Sequence, residues 1–186
     1  MNENTNLVLI SGKSTTGKSF SLRNLKDPSG VMYLNTESNK KLPFKSGFQE
    51  FTIIDPMQVY EAFNAAETKP DVHTIVVDSL TFLMDMYESV YVIPSPDGRK
   101  AWGGYAQFFM NLMGQYVAKS TKNVIFTAHT LDVFSETKGA VETLVKVKGS
   151  LMNTGIESFF SVVLSTKREP VDRLKKYVND LRSEER

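Results

Sequence analysis

Residues 7–19 read Leu7-Val8-Leu9-Ile10-Ser11-Gly12-Lys13-Ser14-Thr15-Thr16-Gly17-Lys18-Ser19. The four apolar residues that open this stretch form a strand buried on both faces, as in a parallel sheet covered by helices. Ser11-Gly12 stops the run, and Gly12 to Ser19 then fit G-x-x-x-x-G-K-[ST] at every position. A chain of this size matches that pattern by chance roughly 1% of the time. The strand before it and the helix predicted after it supply the context the motif needs. Gly12 and Gly17 let the backbone turn its N–H groups toward phosphate oxygens with no Cβ in the way. The helix N-terminus adds donors and a favourable potential. Lys13, Ser14, Thr15 and Thr16 complete the loop. Lys18 is the expected bridge between the β and γ phosphates of ATP, and the Ser19 hydroxyl an expected ligand of Mg2+.

The elements on either side agree with this start. The spacing of Phe20, Leu22 and Leu25 predicts a helix from Lys18 to Leu25 with those three turned inward, ended by Asp27-Pro28-Ser29-Gly30. Val31 to Leu34 reads as a second strand, followed by a polar excursion through Lys40, Lys41, Pro43 and Gly47 and a strand over Phe51 to Ile54. Pro56 opens a helix running to Thr68, with Val59, Phe63 and Ala66 on its buried side. Thr74 to Val77 is a buried strand closed by Asp78-Ser79. A helix is expected over Leu80 to Ser89, then a surface loop over Pro94 to Arg99. Phe108, Phe109, Leu112, Met113, Tyr116 and Val117 form an apolar stripe at helical spacing, which predicts a helix from Tyr105 to Lys119. Asn123 to Ala128 is the next strand. Strands alternating with helices define an α/β fold: a mostly parallel sheet flanked by helices and joined by right-handed crossovers. Val141 to Lys148 and Phe159 to Thr166 lack a long helix between them and read as added C-terminal strands. The core is expected over residues 1–170, with residues 171–186 a charged helix or tail.

Composition limits what else the chain can be. The 186 residues carry 22 Lys and Arg against 21 Asp and Glu, a formal charge of +1 that does not decide the partner. There is no Cys, which excludes disulfides and thiolate metal sites and fits a cytoplasmic setting. His73 and His129 alone give a zinc site little support. No run approaches 18 apolar residues, and the N-terminus has no basic segment leading into an apolar one, so neither a membrane span nor a signal peptide is expected.

Asp78 stands at the C-terminal end of a buried strand, where ligands gather in open α/β sheets, and is the expected holder of Mg2+. Without the phosphate loop it would read instead as a cap for the next helix. Glu37, after the second strand, is the candidate to align the attacking water, with Asp85 and Glu88 as competitors. His129 ends the fourth core strand and is a candidate contact of the γ phosphate, or simply a structural histidine. Trp102 and Tyr105 beside Arg99 and Lys100 offer a base-stacking cluster or, more plainly, core packing.

These segments together resemble the RecA-like nucleotide-binding proteins of bacteriophages, including the single-strand annealing ATPases that look like a reduced RecA/RadA core. The matching stretches are Gly12 to Ser19, Tyr33-Leu34-Asn35-Thr36-Glu37, Ile75 to Ser79, Val124 to Thr130, and Val147 to Leu151 through Ile156-Glu157 and Phe159 to Leu164. The resemblance implies a RecA-like fold, Mg2+-dependent ATP hydrolysis with Glu37 activating water, and a γ-phosphate sensor at His129, where RecA has Gln. It further implies single-stranded DNA as a partner, met by the region from Thr130 to Lys148 through Lys138, Lys146 and Lys148. A homo-oligomeric ring or filament, with a neighbour's basic residue reaching the ATP, also follows from it, and a phage single-stranded DNA-binding protein is a further partner. Two other classes share the phosphate loop: a small-molecule kinase, for which no Arg-rich lid is visible, and an ATP-binding assembly switch. A GTPase is disfavoured, since Thr127-Ala128-His129-Thr130 stands where a base-reading Asn/Thr-Lys-x-Asp segment belongs.

Overall fold

The computed structural model describes residues 6–170. The tail expected over residues 171–186 lies outside them. β1 (Leu7–Gly12) runs into the loop and a short α1 (Lys18–Ser21). Then come β2 (Val31–Asn35), β3 (Gln49–Thr52), α2 (Gln58–Glu67), β4 (Thr74–Asp78) and α3 (Leu80–Tyr87). They are followed by α4 (Gly98–Asn111), β5 (Asn123–Ser135), β6 (Ala140–Val145) and β7 (Val162–Thr166). The sheet order is β3-β2-β4-β5-β1-β7, with β6 paired to the outer half of β5. Every pair along the main path is parallel and only β5–β6 is antiparallel. This is the mostly parallel, helix-flanked sheet expected from the sequence.

Two apolar layers sandwich the sheet. On one face Val59 and Phe63 of α2, Leu83 and Met84 of α3, and Phe109 of α4 pack on Leu9, Leu34, Ile75 and Phe126. On the other, Ile10, Tyr33, Val76 and Ile125 are covered by Leu22 and, more loosely, by Leu42, Phe44 and Phe48 from the segment after β2. The polar excursion between β2 and β3 is therefore half of a core layer. Its Phe44 and Phe48 are partly buried against the sheet while its lysines stay at the surface.

Several boundaries depart from the sequence reading. α1 ends at Ser21 and tightens into a single turn over Leu22–Asn24. Leu22 is 1% exposed, whereas Phe20, expected inside, is 41% exposed and meets Phe44 edge-on. Leu25, the third residue expected inside, is partly buried against the same layer. α4 starts at Gly98 because the Asp97 side chain caps it by accepting from the Lys100 amide at 3.0 Å, so Gly98 and Arg99 are helical and not loop. The helix continues in a wider π turn over Leu112–Val117. α3 is extended in the same way over Glu88–Val92. β5 does not stop at Ala128 but runs to Ser135, forming with β6 a hairpin that leaves the main sheet. β7 is parallel to β1.

The exposure contrast in the α1 segment is testable by urea denaturation. Leu22→Ala should cost about 2–5 kcal/mol, as deletion of a buried leucine does. Phe20→Ala should cost about 1 kcal/mol or less, since it gives up mainly one edge contact.

Candidate nucleotide site

Parallel pairing carries the C-terminal ends of four strands to one edge of the sheet. Asn35 of β2 is level with Asp78 of β4, and Gly12 of β1 is level with His129 of β5. Lys18, Ser19, Glu37, Asp78 and His129, picked from separate stretches of sequence, all line one cavity of about 270 Å3. Tyr33, Lys40 and Lys41 also reach it.

The loop itself is built by close approach. A Cβ on Gly12 would stand 2.2 Å from Thr166 Oγ1 and 2.7 Å from Thr16 Oγ1, so only glycine lets the end of β7 lie against the loop. Gly12 is still the last residue of β1. Steric room for β7, more than a turn, is what it supplies. Gly17 has φ +95° with nothing within 4 Å of a hypothetical Cβ, so here the left-handed backbone is what requires glycine. Thr16 braces the loop through Lys13 O at 2.8 Å and Thr166 Oγ1 at 2.6 Å. Lys13 pairs with Asp132 at the root of the hairpin, while Ser14 and Thr15 line the cavity wall.

Lys18 is 6% exposed and its Nζ donates to Gly12 O at 3.0 Å and Lys13 O at 2.9 Å. Burial draws its ammonium below the ordinary lysine value, opposed by the Glu37 and Asp78 carboxylates. Such a lysine is held at the loop by neutral carbonyls, ready for a stronger anionic partner. Asp78 is 2% exposed, and both its oxygens are satisfied: Tyr33 Oη donates to Oδ2 at 2.7 Å and Thr127 Oγ1 to Oδ1. Burial and the adjacent carboxylate push the Tyr33 phenol far above its ordinary value, which keeps it a donor. Thr36 clamps the strand end by accepting from Ser79 N at 2.7 Å and donating to Ser79 O at 2.8 Å. Ser79 itself is buried, and its hydroxyl has no partner among the described residues.

Glu37 lies between an imidazole and an ammonium, 3.3 Å from His129 Nε2 and 3.0 Å from Lys40 Nζ. The His129 hydrogen bond, aided by Lys40 and against some desolvation, holds the carboxyl down at about 2. His129 is fixed in turn by Thr81, whose Oγ1 accepts from its backbone amide at 3.0 Å, and by the edge of Phe82. Asp85 and Glu88, the competing carboxylates, pair with Lys148 and take no part in this cavity. Tyr105 is buried with Trp102 against it, so that aromatic pair is core packing.

The donors fit Mg2+ with a triphosphate. Ser19 and Asp78, both lining this cavity, are the residues that would hold it. Tyr33, Thr36, Lys40 and Thr127 were missed in the sequence reading. Tyr33 and Thr127 did leave a signal, as polar side chains inside apolar strands.

The parallel sheet, the glycine-bounded loop at the end of β1 and the buried Asp two strands away define a P-loop nucleoside-triphosphatase fold. A family model described as AAA domain matches residues 4–186, and the chain belongs to that family of ATPases. No curated protein matches the sequence. Among solved structures, the chain is similar to E. coli K-12 YQHD, a structural-genomics target of unknown function. That match has TM-score 0.33 and 13% identity, over 88% of this chain and 44% of that one. The chain thus spans less than half the length of that protein, and a likeness this loose carries no argument. No helix among the described residues is long and apolar enough to cross a membrane.

Glu37 gives the site a pH signature. Its folded value of about 2 lies below the ordinary 4.5, so its ionised form stabilises the fold fully above about 4.5 and loses that contribution as pH falls toward 2. Compared with Glu37→Gln in urea titrations, the wild type should gain on the order of 1–2 kcal/mol near neutral pH, allowing for solvent screening of Lys40. That gain should shrink steadily through the acid window.

Proposed function

We propose that the chain is a RecA-like, Mg2+-dependent ATPase whose hydrolysis is coupled to single-stranded DNA, in phage recombination or annealing. One observation carries the catalytic half: Lys18, Ser19, Glu37, Asp78 and His129 converge on a single cavity at the ends of four strands. Ser19 and Asp78 would hold Mg2+, whose Lewis acidity would supply charge neutralisation at the phosphates. Lys18 leaves its two carbonyls for the β and γ phosphates. Glu37 accepts a hydrogen bond from water and aligns it with the γ phosphorus. The water oxygen forms a bond to phosphorus as the bond to the bridging oxygen breaks, ADP departs with that electron pair, and the water proton is carried off with phosphate. A carboxylate held near 2 orients water better than it deprotonates it, which suits a loose phosphoryl transition state.

The DNA half rests on the resemblance and on the hairpin. The His129 carbonyl accepts from the Lys146 amide at 2.8 Å, so the residue beside Glu37 is also the hinge to β6. Movement of His129 with the γ phosphate would reach the hairpin through that bond. Of the three lysines proposed for DNA, Lys138 is paired with Glu142 and Lys148 with Glu88 and Asp85. Lys146 is the one in no ion pair among the described residues, so it leads the DNA contacts in this reading. Assembly into a ring or filament, and a single-stranded DNA-binding protein as partner, belong to the same proposal.

Steady-state ATPase assays with Mg2+, with and without single-stranded DNA, test it. DNA should stimulate the rate several-fold in the wild type, and Lys146→Ala should blunt the stimulation. Lys18→Ala should abolish turnover, and Glu37→Gln should lower it by about 10^2–10^4-fold. A rate indifferent to DNA would shift the reading to an assembly switch or a small-molecule kinase, and unchanged turnover in Lys18→Ala would overturn the site.

A further inference from the structure

The turn after β2 is more tightly built than its polar composition suggests. Asn35, buried at the end of the strand, donates through Nδ2 to Lys40 O at 2.8 Å and accepts at Oδ1 from Glu37 N at 2.9 Å. Lys40 N closes the turn on Glu37 O at 3.0 Å. Ser38 and Asn39 between them sit in the left-handed region, with φ of 51° and 62°, a conformation that residues other than glycine hold only when their surroundings impose it. One buried amide thus fixes the backbone at both ends of the turn. It sets Glu37 and Lys40 side by side on the cavity that holds Lys18.

The two charged side chains differ in freedom. Glu37 is 11% exposed and Lys40 70%. A bond with one end in solvent is weak and easily exchanged. The charges facing this space are Lys18, Lys40, Lys41 and His129, against Glu37 and Asp78. Lys18 and Lys40 line the same cavity, so their like charges oppose each other across it. An anion entering between them would relieve that repulsion. Meanwhile each Glu37 oxygen already accepts one hydrogen bond, Oε1 from His129 and Oε2 from Lys40, so a water aligned at Oε2 competes there with Lys40.

We propose that Lys40 is a second phosphate-binding lysine, which exchanges Glu37 for the terminal phosphate of the nucleotide and so frees Glu37 Oε2 for water. This rests on the ATP reading above. Lys40 then acts as a γ-phosphate detector supplied by the same chain: only a triphosphate draws it away, and only then is the water-aligning carboxylate released. The exchange makes and breaks hydrogen bonds and ion pairs alone. Lys40→Ala keeps every Asn35 bond, because those go to backbone atoms of the turn.

The test is equilibrium binding of ATP and ADP to wild type, Lys40→Ala and Lys40→Arg, with Lys18→Ala as the report on the nucleotide site itself. Lys40→Ala should weaken ATP about 10-fold, the value of one charge-assisted bond, and leave ADP within about 2-fold. Lys40→Arg should recover most of the loss. In kcat/KM against pH, the acid limb set by Glu37 should move to higher pH in Lys40→Ala, since the carboxylate loses the hydrogen bond and charge of the Lys40 ammonium. Equal weakening of ATP and ADP, or no weakening of either, would overturn the role of Lys40 while leaving the site standing. A wild type that binds no ATP, or a Lys18→Ala variant that binds it as tightly, would overturn the nucleotide reading and this proposal with it.

Discussion

The Asp78 carboxylate, buried in the middle of the sheet, is tied to the strand on either side of it. Tyr33 of β2 donates to one oxygen and Thr127 of β5 to the other. An ionised carboxylate at 2% exposure would be costly without such donors, and with them it becomes a fixed point joining three strands. Thr36 holds the backbone just beyond it. Everything that reaches the cavity is positioned from this line: Glu37 one residue past Thr36, His129 two residues past Thr127, and the loop on β1 in register with His129. The same arrangement that satisfies the buried charge keeps it at the mouth of the site, where a cation would use it.

Around that fixed point the polar groups are held in provisional bonds. Lys18 donates to neutral carbonyls, Lys13 to Asp132, and Lys40 to Glu37. Each of these lysines is held by a backbone carbonyl or a carboxylate, and in the proposed function Lys18 and Lys40 would exchange theirs for phosphate oxygens. The cations are therefore gathered in advance without being permanently neutralised. The Glu37–His129 contact links this cluster to β5, and the bond from Lys146 N to His129 O carries the link on to the hairpin.

The hairpin changes how the C-terminal part of the chain is understood. Its cross-strand neighbours Phe134 and Val141 are exposed, and most of its lysines are already in ion pairs. The resemblance implied a DNA-facing surface there, offered by Lys138, Lys146 and Lys148. Folding places acidic partners beside Lys138 and Lys148, so the cationic character that remains is concentrated at Lys146 and nearer the loop.

What the sequence determined by itself was whatever depends on local pattern. The apolar runs of β1, β2, β4 and the inner half of β5 announce a sheet buried on both faces, and the α2 stripe of Val59, Phe63 and Ala66 is buried as its spacing requires. The loop motif and the strand-ending Asp78, Glu37 and His129 were also legible, because chemistry at strand ends leaves polar residues abruptly after apolar ones. Tertiary structure alone decided the rest. Phe20 and Leu22 are both apolar and two residues apart, and only the brevity of α1 and the cover of Phe44 settle which one is inside. Gly12 looks like a turn glycine until Thr166, more than 150 residues away in the chain, is seen pressed against it. Asn35, Thr36 and Lys40 read as ordinary polar residues of a loop. Thr36 meets its partner Ser79 only once the strands have paired, and Asn35 and Lys40 act within a turn whose backbone angles composition does not encode.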